Sequence, residues 1–160
     1  MEASDVASLL GHLSTNGTRA CIAGGWAVDA LLGHQTRHHH DLDLAIDADQ
    51  PDELLNLLAT LAFVPRADWL SVRIELEDPL GRRVDLHPLR FAEDRSAVQA
   101  SLGSTDFYYP SAAFTTGCIA GRTVDCLTAQ QQLAFRQGYA WRDRDYHDVA
   151  VLRRWTSHPS

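Results

Sequence analysis

Ala20-Cys21-Ile22-Ala23-Gly24-Gly25-Trp26-Ala27-Val28-Asp29 and, after a polar loop, Asp41-Leu42-Asp43-Leu44-Ala45-Ile46 decide the fold. Residues 20–23 read as a short apolar strand. Gly24-Gly25 reads as a flexible turn. Trp26, Val28, Leu31 and Leu32 then fall at helical spacing, and Gly33 stops the run. Residues 41–46 alternate acid and apolar side chains for four positions. That period describes a strand with one buried face and two carboxylates, Asp41 and Asp43, on the other.

Working outward, Val6, Leu9, Leu10 and Leu13 predict a helix over 5–16, closed by Asn16-Gly17. Pro51 opens a helix to Leu61 with Leu54, Leu57, Leu58 and Leu61 as its apolar stripe. Residues 70–77 and 83–86 alternate again around the turn Asp78-Pro79-Leu80-Gly81, so they form a hairpin. Residues 90–117 show no clean period. Residues 124–127 read as a last short strand. Thr128 caps a helix from Ala129 to about Gln137, closed by Gly138, and a final helix is predicted from about Asp143 to Trp155. With no repeat and no dividing linker, residues 1–160 are expected to form one domain. Residues 1–90 or so would be its core, and about 91–160 an extension on the side of the second substrate.

Composition bounds the partners. The 14 Lys and Arg against 21 Asp and Glu give a net charge of −7, which argues against a nucleic-acid backbone as the main partner. With 45% hydrophobic and 22% charged residues the chain reads as globular. Cys21, Cys118 and Cys126 are odd in number, lie in apolar runs and include no C-x-x-C pair. They read as small buried residues in a reducing compartment. The N-terminus has no basic region followed by an apolar stretch, and no apolar run approaches the roughly 18 residues of a membrane span. A cytoplasmic protein with no membrane contact is expected.

The acids carry the chemistry. On a strand, Asp41 and Asp43 point the same way about 6.5–7 Å apart, and such neighbours repel unless something positive lies between them. An oxygen-preferring divalent cation does this; an exposed strand of solvated acids is the plainer alternative. In Arg83-Val84-Asp85-Leu86-His87-Pro88, Val84 and Leu86 face the core and Asp85 faces away from it. A third carboxylate there can deprotonate a hydroxyl, ligate a metal, or simply be solvated. Gly24-Gly25, before a helix, lets backbone N–H groups approach phosphate oxygens, or is an ordinary tight turn. Neither a P-loop pattern nor G-x-G-x-x-G is present.

The order of these pieces resembles the nucleotidyltransferase superfamily. The blocks Gly24-Gly25-Trp26-Ala27-Val28-Asp29, Thr36-Arg37-His38-His39-His40-Asp41-Leu42-Asp43, Val84-Asp85-Leu86-His87-Pro88 and Gln132-Leu133-Ala134-Phe135-Arg136-Gln137-Gly138-Tyr139 are similar to the small antibiotic nucleotidyltransferases. These are the lincosamide nucleotidyltransferases and their aminoglycoside 2''-adenylyltransferase relatives. The resemblance covers about residues 5–155. It implies an α+β nucleotidyltransferase fold, a mixed β-sheet flanked by helices with a short C-terminal helical part. It also implies Mg²⁺ and a nucleoside triphosphate, usually ATP. AMP would pass to a hydroxyl of a small-molecule antibiotic, with release of pyrophosphate.

Residue by residue, Asp41 and Asp43 match the metal-binding pair, and Asp85 the third carboxylate, taken as ligand or general base. Gly24 and Gly25 match the triphosphate turn, and Arg37 and His39 the basic positions before the acids. Arg37 is expected to pair with phosphate, and His39 to order the loop or touch the nucleotide. His38 and His40 are expected in a surface loop. Arg73 matches a basic position of the lincosamide group, or forms a cross-strand pair with an acid. Asp145 and Asp148 match acids of the final helix that line a substrate cleft, or pair with Arg142 or Arg144. Two departures stand out: Trp26 replaces the superfamily's usual Ser after the glycines, and Arg136 stands where the lincosamide enzymes tend to have His. Trp26, Trp69, Trp141, Trp155, Phe107, Tyr108 and Tyr109 are expected in the core or a subunit contact, with a pocket wall as the alternative for the 107–110 run. A homodimer is expected. The alternatives are a nucleotidyltransferase acting on a protein or tRNA, as in toxin–antitoxin systems, and an inactive nucleotide-binding module.

Overall fold

Leu42, Leu44 and Ile46 are buried at the centre of a mixed sheet. The structure, a computed structural model, describes residues 1–103, 105–137 and 139–157. The strands are β1 Ala20–Ile22, β2 Asp41–Asp47, β3 Val64–Trp69, β4 Arg73–Glu77, β5 Arg83–Phe91, β6 Ala97–Gln99, β7 Phe107–Tyr109, β8 Phe114–Ile119 and β9 Arg122–Leu127. The helices are α1 Ala3–Thr15, α2 Gly24–Leu32, α3 Pro51–Thr60, α4 Ala129–Phe135 and α5 Asp143–Ser157. The sheet order is β3-β4-β5-β2-β1-β9-β8, with β6 paired to β5 and β7 to β6. β2 runs parallel to β5 and β1 to β9; the other pairs are antiparallel. This is the predicted mixed sheet flanked by helices.

Period-2 patterning gives the sheet two unlike faces. Leu42, Leu44, Ile74, Leu76, Val84 and Leu86 turn to one side, where α1 (Val6, Leu9, Leu10, Leu13) and α3 (Leu54, Leu58) cover them. Each such side chain contributes about 1.5–3 kcal/mol on burial. The other face carries the acids, bordered by a smaller cluster of Ala45, Leu89, Ala97, Tyr109, Ala113 and Leu127. Helices α4 and α5 join α2 through Val28, Ala129, Val151 and Leu152.

Several expectations need correction. Gly24 and Gly25 are not a turn ahead of a helix: they are the first residues of α2, whose N-cap is Ala23. The amide of Ala23 donates to the Asp43 carbonyl oxygen at 2.9 Å, which anchors the helix start beside β2. The hairpin strand begins at Arg73 rather than residue 70, and its partner runs on to Phe91. Pro88 is tolerated inside β5 because it falls between the β4 ladder, which ends at Leu86, and the β6 ladder, which begins at Leu89. Residues 90–117 contain β6, β7 and the start of β8. Helix α4 ends at Phe135, two residues early, and its expected stop Gly138 lies outside the described residues. Cys126 is buried, but Cys21 and Cys118 are only half-buried; all three are free thiols. Trp26 and Tyr109 are core residues, whereas Trp69, Phe107, Tyr108 and Trp155 are exposed. Among the described residues no helix is long and apolar enough to cross a membrane.

Candidate active site

The parallel pairing of β2 with β5 places Asp43 directly opposite Asp85, with Asp41 opposite Arg83 and Ala45 opposite His87. Asp41, Asp43, Asp85 and His87 therefore share one face. They line a cleft of about 560 Å³ together with Gly24, Gly25, Arg37, His39 and Arg73. Ligand atoms of Asp43, Asp85 and His87 lie within 4.8 Å of one another; Asp41 lines the cleft without joining that cluster. His87 is a site residue that the sequence reading misses. It lies two positions after Asp85 on the same strand, so the period-2 rule is the signal that finds it.

The electrostatics divide the acids. Burial raises the Asp85 carboxyl, opposed by His87 and Arg73 and reinforced by Asp43 and Glu75, to about 6. Burial and the neighbouring Asp43 also raise Asp41. For Asp43, burial is outweighed by the hydrogen bond and charge of His87 and by the charges of Arg73 and Arg144, so its carboxyl lies below the usual range. His87 in turn is held above its ordinary value: Asp43 and Asp85 overcome its burial. Arg73 does form a cross-strand pair. Its NH2 lies 2.9 Å from Asp85 Oδ2, it also pairs with Glu75, and its guanidinium rests over the Trp69 ring. Asp85 Oδ1 is buried with no partner. An unpartnered carboxylate oxygen amid clustered acids fits an oxygen-preferring divalent cation.

The loop before β2 is built on Asp29 of α2. Asp29 Oδ1 accepts from the Thr36 amide at 3.0 Å and the Thr36 hydroxyl at 2.6 Å; Oδ2 meets His39 Nε2 at 2.5 Å. His39 is 2% exposed and packs on Trp26, ring centroids 4.4 Å apart, so it orders the loop. His38 and His40 stay exposed. A Cβ at Gly25 would lie 2.3 Å from Arg37 NH2 and 2.5 Å from His39 Nδ1. At Gly24, where φ is +59°, it would lie 1.9 Å from Asp43 Oδ2. Both positions hold glycine because the acid and the loop press against the helix start.

The far wall comes from β6, β7, α4, α5 and residues between the two helices: Gln99, Phe107, Tyr109, Gln132, Phe135, Arg136, Tyr139, Arg142, Arg144, Asp145 and Asp148 line it. Asp148 pairs neither with Arg142 nor with Arg144. It takes Arg37 at both ends (Nε to Oδ1 2.8 Å, NH2 to Oδ2 2.9 Å) and Arg136 NH2 at 2.7 Å. The hydrogen bonds and charges of these two guanidiniums outweigh burial and lower Asp148 to about 2. Arg37 therefore reaches the cleft already paired. Asp145 accepts from the Tyr139 hydroxyl at 3.0 Å and the Arg142 amide at 2.9 Å. The charge of Arg144 reaches Asp41 and Asp43.

Fold and cleft together define a nucleotidyltransferase. The chain belongs to the aminoglycoside-2''-adenylyltransferase family, whose model matches residues 5–152. It is 29% identical over 133 residues, 83% of each chain, to the lincosamide resistance protein of Staphylococcus haemolyticus. It is 35% identical over 108 residues to the 2''-aminoglycoside nucleotidyltransferase of Escherichia coli, a match spanning 66% of this chain and 55% of that protein. The structure of the lincosamide antibiotic adenylyltransferase LnuA, lincomycin-bound, superposes with a TM-score of 0.84 at 25% identity, covering 94% of this chain and 95% of that one. ANT(2'')-Ia in complex with adenylyl-2''-tobramycin shares the fold, with a TM-score of 0.75 at 21% identity over 97% of this chain and 88% of that one.

Proposed function

We propose that the protein transfers AMP from ATP to a hydroxyl of a small-molecule antibiotic and releases pyrophosphate. The observation that carries this reading is the direct opposition of Asp43 and Asp85 across β2 and β5, in a cleft that also takes the glycine start of α2. Asp41, Asp43 and Asp85 would hold Mg²⁺, which when bound neutralises charge on the phosphate oxygens and polarises the transferred group. The backbone N–H groups of Gly24 and Gly25, with Arg37 and Arg144, would face the triphosphate. His39 would act through the loop it orders. Asp85 would take the hydroxyl proton as the oxygen bonds to the α-phosphorus and the bond to pyrophosphate breaks. Its unpartnered Oδ1 and a pKa of about 6 suit that task. Positioning and electrostatics would supply most of the acceleration.

The far wall favours a weakly charged antibiotic, such as a lincosamide, over a polycation. Asp145 and Asp148 already have partners, and Phe107, Phe135 and Tyr139 offer apolar surface. Arg73, Asp145 and Asp148 would thus shape this substrate's side of the cleft rather than grip it. The proposal extends to a homodimer, in which a second copy covers the half-exposed Phe107 and Tyr139; monomers alone in light scattering would remove that part. The test is mass spectrometry of lincomycin and of tobramycin after incubation with enzyme, ATP and Mg²⁺. Gain of one adenylyl group on lincomycin is expected. Labelling only of a protein or tRNA, or nucleotide binding without turnover, would defeat the proposal.

A further inference from the structure

A chain of polar groups, buried at Tyr109 and Gln99 and half-buried at His87, runs from the far wall to Asp43. The Tyr109 hydroxyl donates to Gln99 Oε1 at 2.6 Å, Gln99 Nε2 lies 3.1 Å from His87 Nδ1, and His87 Nε2 lies 3.1 Å from Asp43 Oδ1. Tyr109 and Gln99 are 3% and 7% exposed, so each polar atom needs a partner. The orientation of the Gln99 amide is set at the Val72 end, and the Tyr109 hydroxyl, able to donate or accept, follows it. Its Nε2 lies 3.5 Å from the Val72 carbonyl oxygen, which only accepts, and its Oε1 receives the phenol hydrogen. An amide NH₂ only donates. The His87 nitrogen facing it must therefore present a lone pair. The ring proton then sits on Nε2 and is donated to Asp43.

We propose that Gln99, held by Tyr109, clamps His87 as an Nε2–H donor and so keeps its imidazole out of the cation's ligand set, leaving carboxylate oxygens alone to bind. This rests on the reading that Asp41, Asp43 and Asp85 hold a divalent cation. Judged by proximity, Asp43, Asp85 and His87 make a mixed nitrogen and oxygen site, which suits zinc, copper or nickel. The direction of the hydrogen bonds reverses that preference: carboxylates without imidazole suit magnesium or manganese. The same proton bars His87 from accepting one from the substrate, which leaves Asp85 for that task. Gln99 and Tyr109 are positioning residues that act through His87.

The test begins with the metal-free protein, labelled with ¹⁵N-histidine, in mildly alkaline buffer. Long-range ¹H–¹⁵N spectra are expected to show His87 protonated at Nε2 and bare at Nδ1. A proton on Nδ1, alone or with Nε2, overturns the clamp. Titration with Co²⁺ should leave the His87 ring without contact shifts; contact-shifted His87 signals overturn the exclusion. Gln99→Glu gives Nδ1–H an acceptor, so a cation can displace the Nε2 proton and take that nitrogen. Zn²⁺ affinity relative to Mg²⁺ is expected to rise about 10–100-fold; an unchanged ratio overturns the selection. Gln99→Met removes the donor and should give mixed tautomers, and the native protein's spectrum needs no variant to fold. A native tautomer with no divalent binding at all defeats the nucleotidyl-transfer reading and the cation selection with it, whereas a wrong tautomer defeats the clamp alone.

Discussion

At Gly25 a single added methyl would lie 2.3 Å from Arg37 NH2. Gly25→Ala is therefore expected to displace Arg37 and His39 and to weaken nucleotide binding about tenfold or more, about 1.4 kcal/mol, read by calorimetry. Asp85→Asn keeps the shape and removes the proton acceptor. It should lower kcat about 10²–10⁴-fold, measured by steady-state release of pyrophosphate at saturating nucleotide and Mg²⁺. Asp41, Asp43 and Asp85 are readable from the chain because period-2 alternation says which way a strand residue points. The partners of Asp148 are not: Arg37 lies 111 positions away, and no local pattern encodes that distance. His39 is legible as a basic position, but its buried bond to Asp29 shows only in the fold.

Among the elements, β2 buries its apolar face, with Leu42 and Leu44 both 0% exposed. Leu44→Ala there should cost about 2–5 kcal/mol, read as a lower urea midpoint at an unchanged slope. Helix α5 is tied to the loop before β2 by Asp148. The carboxyl of Asp148 is lowered to about 2, so its contribution is fully present above the unfolded value, about 4, and is lost as pH falls through about 2. Asp148→Asn is expected to destabilise by about 3 kcal/mol near neutrality, because two guanidiniums lose their counter-charge. That deficit should shrink steadily in denaturation curves taken from pH 5 downward. Elements with a strong period are readable: α1, α3, β2 and the β4–β5 hairpin. Strand β3 is not, since it is an edge with Pro65, a register shift and mostly exposed residues. At three residues each, β6 and β7 are too short to show any period.

At the scale of the molecule, β8 and β9 come from the later half of the chain yet join the same sheet through β1, so residues on both sides of about position 90 share one sheet. The site draws on both halves. ATP with Mg²⁺ should therefore stabilise the whole chain in a single transition. At a hundredfold excess over Kd the gain is about 2.7 kcal/mol, seen as a rise in Tm that neither component alone reproduces. The pairing of Asp43 with Asp85 has a last consequence. Their separation is ruled by the peptide ladder, about 4.8 Å between neighbouring strands, and not by any side chain that touches them. The far wall can be rewritten residue by residue for a new drug while the gauge between the two carboxylates stays constant. A slip of one residue between β2 and β5 would instead turn Asp85 into the leucine layer and abolish chemistry for every drug at once.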